Sequence, residues 1–383
     1  MRLAALSFVS ILLRRALLLI ALMGLAACQT LPGQLAKVFR PSSPPSLPAP
    51  ITSDRFLLSN PDQEVVGQLQ VVITMVGDNL INIARRFNVG YEEIVAANPG
   101  VSVFAPPPGT RVVLPTQFVI PDAPRQGIVI NLGTMRLFYF SPPESDGTQW
   151  ITTHPIGIGR ENWLTPTGKA RIVKKVVGPI WYPPASVRRE HAKKGDRLPA
   201  SVPPGPDNPL GTHALYLSWP RYLIHGTNKP PGVGMQVSHG CIRMYPEDII
   251  PLYEQVKVGT SVQVVNQPML AGWRDGMLYL DAHRPIEGDK RNWRARVRDV
   301  VEAKAAKGEA DSGEAAVDWD KVDQLAAEPR GLPVPVLAGA PDLDTVLART
   351  HVVANTTPEG ANYRTDRDEA SADTASLTPL ASN

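Results

Sequence analysis

"GIVINLGTMRLFYF", residues 127–140, sets the class of the fold. Two runs rich in β-branched and aromatic residues flank Gly133-Thr134, the pattern of two strands joined by a two-residue hairpin turn. The same character continues outward. "QWITTHPIGIG" (149–159), "KARIVKKVV" (169–177), "HALYLSW" (213–219) and "YLIHGT" (222–227) read as strands, and "TSVQVVN" (260–266) as a closing one. "PEDIIPLYEQV" (246–256) reads as a helix: Pro246 suits its first turn, two acids sit at its positive end, and Pro251 is expected to shorten or kink it. Residues 127–266 are thus expected to form a mostly β domain with one short helix. The Pro-, Gly- and charge-rich stretch 182–211 is expected to be an unstructured lid or insert.

Upstream, residues 71–115 have the order β-α-α-β. "VVIT" and "RVVLP" are the strands, Asp78 is the expected N-cap, and Leu80, Ile83, Ala84 and Phe87 line one helix face. "YEEIVAAN" is a second helix, stopped by Asn98-Pro99. Downstream, "GMLYLDAHRPI" reads as a strand. In 289–306, Trp293, Val297, Val300 and Val301 mark a helix face. Residues 307–383, rich in Ala, Pro, Asp and Thr with weak periodicity, are expected to be a disordered tail.

The chain has 383 residues, room for two or three domains. Its 39 prolines, about twice ordinary usage, point away from an all-helical fold. A net charge of +3, with no basic stripe, gives no sign of nucleic-acid binding. At the N-terminus, Arg14 and Arg15 precede "ALLLIALMGLAAC" (16–28), a short apolar run typical of an export signal. Leu25-Ala26-Ala27-Cys28 resembles a bacterial lipobox. That resemblance implies a signal peptide over 1–27, a lipidated Cys28, and, with Gln29 next, outer-membrane anchoring of a periplasmic protein. The competing reading is an ordinary secretory signal. "PSSPPSLPAP" (41–50), within a 28–60 linker, reads as an extended spacer.

Cys241, in "SHGCIRM" (238–244), has Cys28 as its one possible intrachain disulfide partner, and lipidation would consume that partner. A nucleophilic thiol needs a base or a lowered pKa. His225, sixteen positions upstream, ends a strand and can return beside Cys241 through "NKPPGVG"; His239 lies two residues before it. Gly240 permits close approach of a substrate and exposes N–H groups, and Arg243 can hold a carboxylate or favour the thiolate. The bland alternative is a buried core cysteine. A zinc site from His213, His225, His239 and Cys241 lacks the close ligand spacings that mark such sites.

His225-Gly226-Thr227 followed by Ser238-His239-Gly240-Cys241-Ile242-Arg243-Met244, with "LTPTG" (164–168) and "NPLG" (208–211), resembles the L,D-transpeptidase catalytic (YkuD) domain family over residues 127–266. The resemblance implies a β-sandwich-like catalytic fold and catalysis by Cys241, with His225 as base and Gly226 orienting it. It places an oxyanion hole at the Gly240 and Cys241 N–H groups, and His239 and Arg243 around the donor, with Ser238 and Thr227 as further substrate contacts. It implies no metal and no organic cofactor. The donor would be a peptidoglycan tetrapeptide stem. The acceptor would be a second stem, a lysine on a wall-attached lipoprotein, or water, the last giving a carboxypeptidase. Val76-Gly77-Asp78-Asn79-Leu80, Ala97-Asn98-Pro99 and Pro108-Gly109-Thr110 resemble a LysM module, implying binding to glycan strands; a small subdomain that binds no sugar is the alternative. "GWRDGMLYL" (272–280), within a 267–306 extension, resembles the C-terminal extension of ErfK/YbiS-like members. A wall-binding lipoprotein without activity is the rival to the enzyme.

Overall fold

The computed structural model describes residues 47–51, 54–58, 60, 62–307 and 316–358. The expected signal peptide, Cys28 and most of the Pro-rich spacer lie outside these residues. The chain runs through β1 (Arg55–Leu58), β2 (Val65–Gly67), β3 (Gln70–Ile73), α1 (Leu80–Arg86), α2 (Tyr91–Ala97), β4 (Arg111–Leu114) and β5 (Gln117–Val119). Next come β6 (Gly127–Asn131), β7 (Arg136–Phe140), β8 (Gln149–Pro155), β9 (Ile158–Gly159), β10 (Gly168–Val177), α3 (Ala185–Lys193), β11 (His213–Leu217) and β12 (Leu223–His225). β13 (Gln236–Ser238), β14 (Ile242–Arg243), α4 (Pro246–Gln255) and β15 (Ser261–Val265) follow. β16 (Met269–Arg274), β17 (Met277–Ala282), α5 (Trp293–Ala305), α6 (Trp319–Ala327), β18 (Val334–Pro335) and α7 (Leu343–Arg349) complete it.

The fold is mostly β, as the sequence indicates. Among the described residues the largest sheet has nine strands, ordered β1-β8-β7-β6-β15-β10-β11-β12-β14 and curled into a half-barrel. The β6–β15 and β12–β14 pairs are parallel. Alternation turns Ile128, Ile130, Leu215, Leu217, Ile224, Ile242, Val262 and Val264 into one core, which α4 covers with Ile249 and Leu252. Each such side chain contributes about 1.5–3 kcal/mol on burial. β1 lies inside the segment 28–60 expected to be linker; it pairs with β8, and Leu58 is buried. The Gly133-Thr134 turn is longer than expected. Asn131 pairs with Arg136, and Leu132 drops into the core, so the loop spans 132–135. Gly133 is needed there, since a Cβ would meet the Pro268 nitrogen at 2.5 Å. α4 runs on through Pro251, which removes a single intrahelical bond.

The LysM-like module pairs β3 with β4 under α1 and α2, around Leu80, Ile83, Phe87, Ile94 and Val112. Its first helix is capped by Asn79, whose Oδ1 accepts from Asn82 N at 2.8 Å, and not by Asp78. The Asp78 carboxylate instead accepts from Met75 N at 2.7 Å and from Asn355 Nδ2 at 2.8 Å. The module is docked firmly. Arg136 of β7 grips Glu93 of α2, and Arg85 grips Glu247 of α4. Tyr245 Oη donates to Val89 O at 3.2 Å, and Tyr91 N and Glu92 N donate to the carbonyls of Val233 and Gly234.

Two expectations fail. Residues 316–358 are folded. α6, β18 and α7 bury Val322, Ala326, Leu332, Val334, Val336, Leu337 and Val353 against β16–β17, α5 and the LysM-like module. Isolated apolar residues spaced through polar sequence did this work, and average composition hides them. The stretch 182–211 also carries structure, the helix α3. No helix among the described residues is long and apolar enough to cross a membrane.

Candidate active site

Strand register builds the site. β11 and β12 pair Ala214 with His225 and Tyr216 with Leu223; β12 and β14 pair Ile224 with Ile242 and His225 with Arg243. Paired residues share a face, and alternate residues return to it. Ala214, His225 and Arg243 therefore form one row on the face opposite Leu215, Ile224 and Ile242, which enter the core. Cys241 stands one residue before β14, with its thiol near the Leu223 N–H and the Arg243 charge. The Arg243 charge lies near both the thiol and the imidazole.

The His225 ring is buried, with Nδ1 2.6 Å from Gly226 O. A carbonyl can only accept, so Nδ1 carries the proton and Nε2 keeps its lone pair; the tautomer is assigned from this partner. Burial pushes the His225 pKa down to about 4, assisted by the nearby Arg243 charge and opposed by the Gly226 and Leu210 carbonyls. Cys241 is half-buried, and its thiol donates to Arg221 O at 3.5 Å. Burial pushes the thiol up to about 11, against the pull of the Leu223 N–H and Arg243. The resting pair at neutral pH is therefore thiol and neutral imidazole. Attack by such a sulfur would require the proton to move in the same step, which is general-base chemistry.

The remaining expected residues divide by what they touch. Ser238 Oγ donates to Cys241 O at 2.6 Å and accepts from Gly240 N at 3.1 Å, so both groups are used inside the loop. The Gly240 N–H is thus bonded to the Ser238 hydroxyl here. Gly240 is needed sterically, at φ +105°, with a built Cβ 3.1 Å from the Tyr222 ring. Thr227 is also turned inward, accepting from Lys229 N at 2.9 Å. Arg243 is half-buried beside the thiol and imidazole. His239 points to a separate cluster with Glu190, Arg160 and Trp163. His213 pairs with Val177, lies on the face opposite Ala214 and His225, and meets the Tyr253 ring edge-on, with centroids 4.8 Å apart. Among the described residues no three His, Cys, Asp or Glu side chains are grouped to hold a metal ion.

Sequence reasoning missed Arg221, Leu223, Tyr216 and Glu190. Arg221 and Leu223 act through backbone atoms, which residue type does not announce. Pro220-Arg221 was a usable turn signal: Tyr222 N donates to Trp219 O at 3.3 Å, and Arg221 sits at φ +72°, a region that favours glycine. The "LTPTG" and "NPLG" stretches brace the site. Thr165 Oγ1 donates to Gly240 O at 2.8 Å, and buried Asn208 donates to Pro179 O at 2.7 Å.

Comparison with known proteins bears on this arrangement. Residues 125–264 match the model of the L,D-transpeptidase catalytic domain, and 76–115 that of the LysM domain. The chain is 38% identical over 284 residues to the probable L,D-transpeptidase ErfK/SrfK of Salmonella typhimurium, covering 73% of this chain and 90% of that protein. This chain belongs to the L,D-transpeptidase family. The probable L,D-transpeptidase YbiS of Escherichia coli is also 38% identical, over 275 residues, 70% of this chain and 88% of its own. The putative L,D-transpeptidase YkuD of Bacillus subtilis is 29% identical over 190 residues, 49% of this chain and 94% of its own. Cys241 and His225 thus lie inside the matched catalytic domain of this L,D-transpeptidase, and α5 to α7 lie outside it.

Proposed function

We propose that this L,D-transpeptidase cross-links or decorates peptidoglycan, with a tetrapeptide stem as donor and Cys241 as nucleophile. The sulfur attacks the carbonyl of the third residue, a diaminopimelate, while His225 Nε2 takes the thiol proton. The bond to the terminal D-alanine breaks, His225 returns the proton to the departing amine, and a thioester remains. An acceptor amine then attacks the thioester and yields its proton to His225, and the thiol is restored. The Gly226 carbonyl holds the imidazole tautomer, the Cys241 N–H faces the developing oxyanion, and Arg243 shapes the donor site. The observation that supports this reading is the parallel return of β14, which pairs Arg243, two residues after Cys241, with His225, whose tautomer Gly226 fixes.

The LysM module holds glycan strands in this reading. Val76 and Phe104, 80% and 76% exposed on its loops, offer an apolar platform for a sugar ring. The protein is exported to the periplasm and lipid-anchored through Cys28 to the outer membrane. The acceptor is a second stem or a lysine of a wall-attached lipoprotein. The test is intact mass after incubation with a tetrapeptide stem. An adduct equal to the stem minus D-alanine should form, and Cys241→Ala should abolish it. Properly folded wild-type protein that forms no adduct would overturn the proposal. Muropeptide analysis of walls with and without the protein identifies the acceptor, and trimmed stems without new linkages would point to water.

A further inference from the structure

Residues 182–201 form a flap whose helix meets His239, in the loop that carries Cys241. Its base is closed by a two-way backbone bridge, Trp181 N to Val202 O at 2.9 Å and Val202 N to Trp181 O at 2.8 Å. Asn208, fully buried, reinforces that base by donating to the carbonyls of Pro179, Val202 and Pro203. The body of the flap is α3, a polar helix in which Val187 is the buried residue among those described. At its start, Tyr182 lies within electrostatic range of Tyr216, which in turn feels Cys241.

One apolar side chain is a weak anchor for a nine-residue helix. The second attachment is ionic. Glu190 Oε2 pairs with Arg160 Nη2 and lies 3.1 Å from His239 Nε2; its other oxygen accepts from Lys194 Nζ at 3.2 Å. Arg160 Nη2 is also 3.0 Å from His239 Nε2, so Arg160 and His239 converge on one carboxylate oxygen. The His239 ring is held edge-on by Trp163, with centroids 5.1 Å apart. His239 is two residues from Cys241, and Arg160 N donates to Ser238 O at 3.1 Å. The ion pair therefore ties the flap to the loop that carries the nucleophile.

We propose that Glu190 is a positioning residue that latches the flap: by bridging Arg160 and His239 it holds α3 closed against the loop that carries Cys241, retaining the stem peptide and keeping water from the thioester. The peptide half of this statement rests on the proposed function; the latch itself does not. Arg160 and His239 hold the Glu190 pKa at about 2, so the latch stays charged in the working pH range. His239 accordingly serves the flap, and no step of the chemistry uses it.

The test uses full-length protein carrying Glu190→Gln, which keeps the shape and removes the charge, with Glu190→Asp as the conservative partner. Alkylation of Cys241 by iodoacetamide, followed by intact mass, should quicken about three- to ten-fold in Glu190→Gln, the size expected when a partly exposed ion pair is lost. Acylation by the tetrapeptide stem should move the opposite way, through a higher KM, and more of the thioester should go to water than to amine. Hydrogen exchange over residues 185–193 should rise in step, and Glu190→Asp should recover part of each change. A merely structural role would slow both reactions together and lower Tm, and that result overturns the latch. So does an unchanged alkylation rate. If wild-type protein is not acylated by stems, the transpeptidase reading fails while alkylation and exchange still decide the latch.

Discussion

Arg136 and Glu93 form a two-pronged ion pair inside the protein, Nε to Oε1 at 2.8 Å and Nη2 to Oε2 at 3.0 Å, joining the catalytic sheet to the LysM module. Arg136 also donates to Asn88 O, and its guanidinium lies 4.0 Å from the Phe118 ring centroid. Removing either partner alone leaves a buried charge without its counterion. Glu93→Ala or Arg136→Ala should each cost about 3–5 kcal/mol of stability, read by urea denaturation. Arg298→Ala, which breaks the solvent-exposed pair with Asp323, should leave the urea midpoint close to wild type in the same assay.

Burial sets the pH range of the nucleophile and base in opposite directions. His225, lowered to about 4, stays a competent base well into acid, and the thiol stays protonated until about 11. Stem acylation should therefore be level across neutral pH and fall only as pH drops towards about 4, in a single-turnover pH profile. Alkylation by iodoacetamide, which needs the free thiolate, should instead keep rising through pH 9–10. The same shift affects stability. The unfolded histidine binds its proton near 6.5 and the folded one does not, so His225 destabilises the fold progressively as pH falls from about 6.5 to about 4.

Arg221 presents its carbonyl to the thiol from the left-handed region, at φ +72°. Arg221→Gly accepts that backbone and should leave stem acylation close to wild type. Arg221→Val, β-branched and ill-suited there, should lose about 1–2 kcal/mol of stability and slow acylation. Loss of acylation in the glycine variant would show that the Arg221 side chain, not its backbone, matters.

Phe104 is exposed on a LysM loop and takes no part in the module's core. Phe104→Ala should weaken co-sedimentation with purified sacculi several-fold, with unchanged Tm and unchanged alkylation of Cys241. Unaltered sedimentation would remove Phe104 from the glycan platform.

The strands and the return of the segment after Cys241 beside His225 were legible because alternation and a short parallel return encode them locally, as with Ile224, His225 and Ile242. The fold of residues 316–358 was not, since Val322, Val336 and Val353 gain meaning only from distant partners. Backbone groups were equally silent. Nothing in the letters Gly240 and Ser238 says that one's N–H is already bonded to the other's hydroxyl. Glu190 reads in sequence as one charge among many, and its meeting with His239 spans 49 positions.

At Gly90 and Gly234 two backbones touch; a Cβ on Gly234 would stand 2.3 Å from the Gly90 Cα. Gly234 leads directly into β13 and the nucleophile loop, so the LysM module has no slack relative to the sulfur. In the proposed reading it would act as a caliper and not as a leash. A polymer seated on the module would be offered to the thiol at one fixed offset, and the repeat length of that polymer would select which of its branches is read.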